Sequence, residues 1–294
     1  MQGSSRAAAA AVAEAFDRML DRETSSEASG VGAVVGRAVD RVLRRSVDRN
    51  RLGQDLFAVT TAIDGSIPLR RALADPSREG DAKATLAERL FQGKIDGDAL
   101  DLLKTAVSQR WSQERDFTDT LESLAVAAVI GAAEQEGRAD RVEDELFRFE
   151  RIVAGNPGLR DALTDRRAEP AAKEQLVSEL LAGKTSEETL GLVRQAVTFP
   201  RGRRFDQVLD SYLRIASQRR EQLAAVVTTA VSLDQDQRGR LAAALSQFYG
   251  GKAVHLNVVV DPDVIGGIRV QIGDDVVDGT ILRRLEAVRR HLGG

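Results

Sequence analysis

The sequence predicts a mostly α-helical protein: two tandem six-helix-type bundles, then a small α/β segment in the order strand, helix, strand, strand, strand, helix. Three observations predict this. Apolar residues recur at helical spacing up to about residue 222, interrupted by short Gly, Pro and Asn breaks. The chain matches itself at an offset of 90 residues. From Leu223 the spacing changes to the two-residue alternation of strands.

The repeat lays residues 55–110 over 145–200 without a gap and gives 19 identities in 56 positions, where unrelated helical sequences would give roughly 4. The first copy reads DLF (55–57), LRRALAD (69–75), EGDAKATLAERLFQGK (79–94) and LDLLKTAV (100–107). The second reads ELF (145–147), LRDALTD (159–165), EPAAKEQLVSELLAGK (169–184) and LGLVRQAV (190–197). A two-residue slip then brings Arg115-Asp116-Phe117 over Arg203-Arg204-Phe205, so the likeness runs into the next helix. Domain boundaries follow at 1–117 and 118–221 for the two bundles and 222–294 for the α/β segment.

Within the copies, Leu121, Leu124, Ala128 and Ala132 share one helical face, as do Leu102 with Ala106, Leu192 with Ala196, and Phe205, Leu209, Tyr212 and Ala216. Breaks are expected at Gly65, Asp75-Pro76, Gly93-Lys94, Asn156-Pro157-Gly158, Gly183-Lys184 and Pro200-Arg201-Gly202. Helices this short are marginal alone and take their stability from packing on each other. In the last segment, Val226, Val227, Thr228 and Thr229 suit a strand. Ser232-x-x-Gln235 has the form of a capping box before a helix with Leu241, Leu245 and Phe248 on one face. Val254, Leu256, Val258 and Val260 alternate along a second strand, and Ile268, Val270 and Ile272 along a third. Gly273-Asp274-Asp275 turns the chain back through Val276-Val277, and Thr280 caps a last helix bearing Ile281, Leu285, Val288 and Leu292.

Composition excludes whole classes of chemistry. The chain has no cysteine and two histidines, His255 and His291, which removes thiolate metal sites, disulfide frameworks and cysteine nucleophiles and leaves nothing for a histidine metal centre. A net charge of -3 provides no field to attract nucleic acid. The alanine run Ala7–Ala11 is followed by Glu14 and Asp17, which fits an amphipathic helix and not a signal peptide. The longest apolar run, Leu124–Ala133, falls short of the roughly 20 residues needed to cross a bilayer.

Each suggestive motif also has an ordinary reading. Gly30-x-Gly32-x-x-x-Gly36 follows a Ser-rich linker and lacks the preceding strand of a dinucleotide loop. Gly250-Gly251-Lys252 reads as a helix stop. Asp261, Asp263, Asp274, Asp275 and Asp278 lie at turns, where Asp is favoured for its own hydrogen bonds, so no metal site is expected. Arg37, Arg41, Arg45 and Arg49 form a stripe that is solvated by default, with an acidic partner or lipid headgroups as the alternative. Arg201, Arg203 and Arg204 form a second basic knot, solvated or ion-paired. Trp111 is read as local packing at the end of the first bundle, or else as an interface anchor. No catalytic constellation is present, so binding is the expected activity and no cofactor is expected.

The run VDPDVIGGIRVQIGDDVVDGTI (260–281), with Leu285 on the closing helix, closely resembles the C-terminal signature of the F-type ATP synthase delta subunit (OSCP) family. Pro262, Gly266, Gly267, Gly273, Asp278 and Gly279 stand where that pattern wants them, and the resemblance reaches upstream to about residue 118. The first 117 residues depart from the ordinary family member, which has one bundle. The Arg-rich stretch at about 31–51 looks like an extra helix without a counterpart in the second copy.

The resemblance implies a non-catalytic stator subunit, present once per complex. It would link the alpha/beta head to the b-subunit stalk and be held peripherally, through the complex, at the cytoplasmic face of a bacterial cell membrane. It implies contact with N-terminal helices of alpha subunits in the groove between the first and fifth helices of a bundle. That groove falls here at 118–136 and 188–199, with Leu121, Leu124, Ala128, Leu192 and Ala196 as candidate contacts, and an equivalent pair lies at about 6–20 and 98–110. The same leucines and alanines fit intra-bundle core equally well. A free helical adaptor that binds other amphipathic helices is the alternative function.

Overall fold

The breaks expected from Gly, Pro and Asn are where the helices end. The computed structural model describes residues 3–27, 47–165, 167–222, 224–248, 254–261, 267–272 and 275–278. Its helices are α1 (Gly3–Glu27), α2 (Arg49–Asp64), α3 (Ile67–Ala74), α4 (Gly80–Phe91), α5 (Gly97–Ser108) and α6 (Glu114–Gln135). They continue as α7 (Ala139–Gly155), α8 (Pro157–Thr164), α9 (Pro170–Leu181), α10 (Glu187–Thr198) and α11 (Phe205–Gln222). The Gly30 motif and Arg37, Arg41 and Arg45 lie outside the described residues.

The duplication is reproduced element by element. Helices α2 to α5 begin at 49, 67, 80 and 97, and α7 to α10 at 139, 157, 170 and 187, a shift of 90 each time. Local chemistry repeats with it. The Ser66 hydroxyl caps α3 by accepting the Leu69 amide, and the Asn156 side chain caps α8 through the Leu159 amide at 3.0 Å. Gly93 and Gly183 both leave their helices with φ near 70° (+74° and +67°), a left-handed conformation that glycine takes without cost. The Asp55 carboxylate accepts the Asp96 amide at 2.8 Å and pairs with Arg51; 90 residues later Glu145 accepts the Ser186 amide at 2.9 Å and pairs with Arg141. In each copy, one acid on the second helix thus anchors the start of the fifth.

Met1–Ala216 forms one compact unit and Ser217–Gly294 another. In the first, a single contiguous core runs through both copies. Helix α6 is the reason. It packs on α1, α2, α3 and α5 of the first copy and on α7 and α10 of the second. The one-sided apolar face expected for it is corrected here: from Phe117 to Gly131 every residue is buried except Asp119, which is half-buried, and Ser123. A helix buried on nearly every side lies in an interior, and α6 does so because the last helix of the first copy is also the first helix of the second. Its closest neighbour is α2. A Cβ added to Gly53 would lie 2.6 Å from Val129 Cγ2 and 3.0 Å from the Ala125 carbonyl oxygen, so α2 approaches this closely only because position 53 has no side chain.

Arg49 also differs from the solvated stripe expected of it. It is 3% exposed and donates to the Gly131 carbonyl at 3.2 Å, closing the C-terminal part of α6.

The second unit holds β1 (Ala224–Thr229), α12 (Gln235–Phe248), β2 (His255–Val260), β3 (Ile268–Ile272) and β4 (Asp275–Asp278) in a four-stranded sheet of order β2-β1-β3-β4. β1 and β2 pair in parallel across the α12 crossover, while β3 pairs antiparallel with both β1 and β4. Ala225, Val227, Val270, Ile272 and Leu245 form its core. The alternation expected along β3 holds, with Arg269 and Gln271 outward. Along β2 it fails at Val260, which is exposed at the strand end. The helix start is also corrected: a reciprocal cap is formed by Asp234 and Gln237, each side chain accepting the other's amide at 2.7 and 3.0 Å, two residues after the Ser232-x-x-Gln235 expected. Asp is at least as good a cap as Ser, and Asp234 directly precedes the first helical residue.

Candidate functional site

The groove expected between 118–136 and 188–199 is framed by α6 and α10, which touch. Leu121, Leu124, Ala128, Leu192 and Ala196 are all buried in the core of the helical unit. The structure brings these five together as core. Within the mostly buried stretch Phe117–Gly131 of α6, Ser123 is the exposed residue, with Ala127 (8%) and Leu124 (7%) the least buried apolar side chains beside it. Sequence periodicity left the contact and core readings equal because it sees one apolar stripe and cannot show that a second set of helices covers the other sides.

The basic knot at the start of α11 is an ion-pair hub. Arg201 adopts φ +56°, a left-handed conformation that is uncommon for a residue with a Cβ. Its guanidinium is 7% exposed and lies 2.7 Å from Glu122 and 2.9 Å from Asp119 on α6, and it also pairs with Asp64 at the end of α2 and with the Thr118 hydroxyl. Arg203 pairs with Glu122 at 2.5 Å, and the Tyr212 hydroxyl donates to Glu122 at 3.1 Å. Arg204 pairs with Asp206 in solvent. Burial raises the Asp119 pKa despite the nearby Arg201, Arg115 and Arg203 charges. Trp111 packs locally, as expected: it is buried, donates to the Ala106 carbonyl at 2.8 Å and lies 5.7 Å from the Phe117 ring.

Burial, then the Glu122 charge and hydrogen bond, push the Tyr212 phenol well above its ordinary pKa. Above about pH 10 the unfolded phenol loses its proton while the folded one keeps it. The folded state then binds more protons, so stability falls as pH rises, by up to about 1.4 kcal/mol per pH unit. Denaturant midpoints from pH 9 to 11.5 are expected to decline less steeply in Tyr212→Phe than in the parent. Equal slopes would mean that Tyr212 ionises in place.

In the second unit, Gly267 has φ +88° just before β3, and Asp278 lies opposite Arg269 in the β3–β4 register. Pro262, Gly266, Gly273 and Gly279 of the expected signature lie outside the described residues, as do Asp263, Asp274 and His291. His255 begins β2 opposite Ala224. Among the described residues no group of three or more acids and histidines is placed to hold a metal ion. Also among them, no helix is long and apolar enough to cross a membrane.

Comparison with known proteins accounts for this architecture. Residues 126–292 match the model of the ATP synthase delta (OSCP) subunit family. The chain is similar to the ATP synthase subunit delta of Kineococcus radiotolerans, 49% identical over 247 residues that span 84% of this chain and 89% of that one. It is similar to the same subunit of Streptomyces avermitilis, at 51% over 84% and 90%, and of Thermobifida fusca, at 42% over 85% and 92%. An alignment of 247 residues is longer than the chain from residue 118 to residue 294, so it extends into the first copy. The duplicated helices are therefore shared with these relatives, and the chain belongs to the ATP synthase delta (OSCP) subunit family.

Proposed function

We propose that this chain is the non-catalytic stator subunit that joins the catalytic head of an F-type ATP synthase to its b-subunit stalk. It would be present once per complex and held at the cytoplasmic face of the membrane only through that complex. The observation that carries this reading is similarity along nearly the whole length of proteins named ATP synthase subunit delta. The chemistry agrees, since a part that resists torque needs packed helices and partner surfaces, not acids and bases arranged for turnover. Purification of the full chain from membranes should recover alpha and b subunits with it. Recovery without either would favour a free adaptor.

Within this reading, an alpha-subunit helix lies along α6 and α10 and meets the chain at Ser123, Ala127 and Leu124, while Leu121, Ala128, Leu192 and Ala196 support that surface from beneath. Ser123→Arg in the full chain places a long charge there without disturbing the core. It is expected to weaken binding of an alpha N-terminal peptide by at least about tenfold, a loss of about 1.4 kcal/mol, with the melting temperature unchanged. Unaltered binding would move the contact elsewhere, the α1–α5 pair being next in line. The b subunit is assigned to the C-terminal unit, where Val226, Val259 and Val276 are exposed on the sheet.

A further inference from the structure

The duplication raises the question of whether the two copies move separately or together. Asp64 is the last residue of α2, in the first copy, and an acid at a helix C-terminus is disfavoured by the helix dipole unless cations offset it. Two cations do: Arg70, 3.5 Å away in the same copy, and Arg201, from the α10–α11 connection of the second copy. Arg201 reaches Asp64 from a left-handed backbone position that a glycine would occupy more easily, and Gly202 follows it at φ +74°. The strained residue carries the side chain that spans the copies. On its other side, the same guanidinium grips Asp119 and Glu122 of the shared helix α6. Arg115 of α6 in turn donates to the Arg201 carbonyl at 2.6 Å, holding the connection in place. A second bridge lies deeper, where the rings of Phe57 on α2 and Tyr212 on α11 stand 6.4 Å apart, with Tyr212 bonded to the same Glu122.

We propose that the Arg201 hub is a lock: it pins the end of the first copy to the second across their shared helix, so that the two copies form one rigid body. Without it, α6, the α2–α6 packing and the Phe57–Tyr212 contact would still connect the copies, but the end of α2 would lose its charged tie to the α10–α11 connection.

The chain has no cysteine, so a label pair can be introduced cleanly in the full-length protein. Thr85 on α4 and Gln175 on α9 are exposed and occupy equivalent positions in the repeat. Spin labels on cysteines at both sites report the inter-copy distance distribution. The parent is expected to give one narrow distribution. Asp64→Asn, which removes only the first copy's carboxylate, is expected to broaden it about twofold while helicity is retained. Arg201→Met is expected to broaden it further. Arg204→Met, whose partner Asp206 lies in solvent, should leave it unchanged. A distribution as narrow in Asp64→Asn as in the parent overturns the lock, whether or not Arg201→Met folds, as does equal broadening in Arg204→Met.

Discussion

Replacing Arg201 by Met is expected to destabilise the helical unit by about 2–4 kcal/mol, less than the full cost of breaking a buried pair, because its carboxylates keep other partners and two of them reach solvent. Glu122 is 3% exposed and would keep Arg203 and Tyr212, but Asp64 and Asp119 would lose their shared cation. At roughly 2–4 °C per kcal/mol for a unit of this size, the melting temperature should drop by on the order of 10 °C. Arg203→Met should cost less, about 1 kcal/mol, since Arg201 still satisfies Glu122. A double-mutant cycle of Arg201→Met with Glu122→Gln should show coupling of roughly 1–3 kcal/mol. Losses below about 1 kcal/mol for Arg201→Met would mean that the cluster behaves as an exposed surface pair.

Two glycine-to-alanine changes are expected to act in opposite directions. Gly53→Ala inserts a methyl group 2.6 Å from Val129 Cγ2 and 3.0 Å from the Ala125 backbone oxygen. A side chain can yield at such a contact, but the carbonyl of a packed helix cannot move without shifting α6. The expected cost is about 1–3 kcal/mol from overpacking, larger for Gly53→Leu. Gly191 lies within α10, exposed, with nothing within 4 Å of an added Cβ. Gly191→Ala should stabilise by about 0.5–1 kcal/mol, because alanine loses less freedom than glycine on entering a helix. Urea midpoints of the full chain decide both. A neutral Gly53→Ala would mean that α2 and α6 are less closely packed than the backbone places them.

Much of the local structure was legible in the residues. The spacing of 90 predicted helices that recur at that interval, because caps and stops are short-range devices: Asn156 and Pro157 start a helix wherever they occur, and Gly183 ends one. The strand alternation at 268–272 was legible for the same reason, since a half-buried strand writes its two faces into successive residues. Trp111 read correctly as packing. The capping box was displaced by two residues because Ser232 and Asp234 both satisfy the pattern, and it is Asp234 that makes the hydrogen bonds. The ion-paired reading of the Arg201 knot agrees with the structure, but its charge could not say which carboxylates it meets; Arg49, solvated by default in the sequence, instead meets a buried carbonyl.

The sequence by itself determined that this protein is one helical unit made twice, joined to a small mixed sheet, and which family it resembles. These follow from periodicity, repetition and a local signature, all carried by neighbours in the chain. Only the tertiary structure decided that the copies share α6 and one continuous core, that the five groove candidates are buried within it, and that Arg201 joins Asp64 to Glu122. Such facts depend on which surfaces meet across residues 60 to 140 positions apart. A buried helix face and an exposed one carry the same leucines and alanines until a second helix is seen to cover one of them.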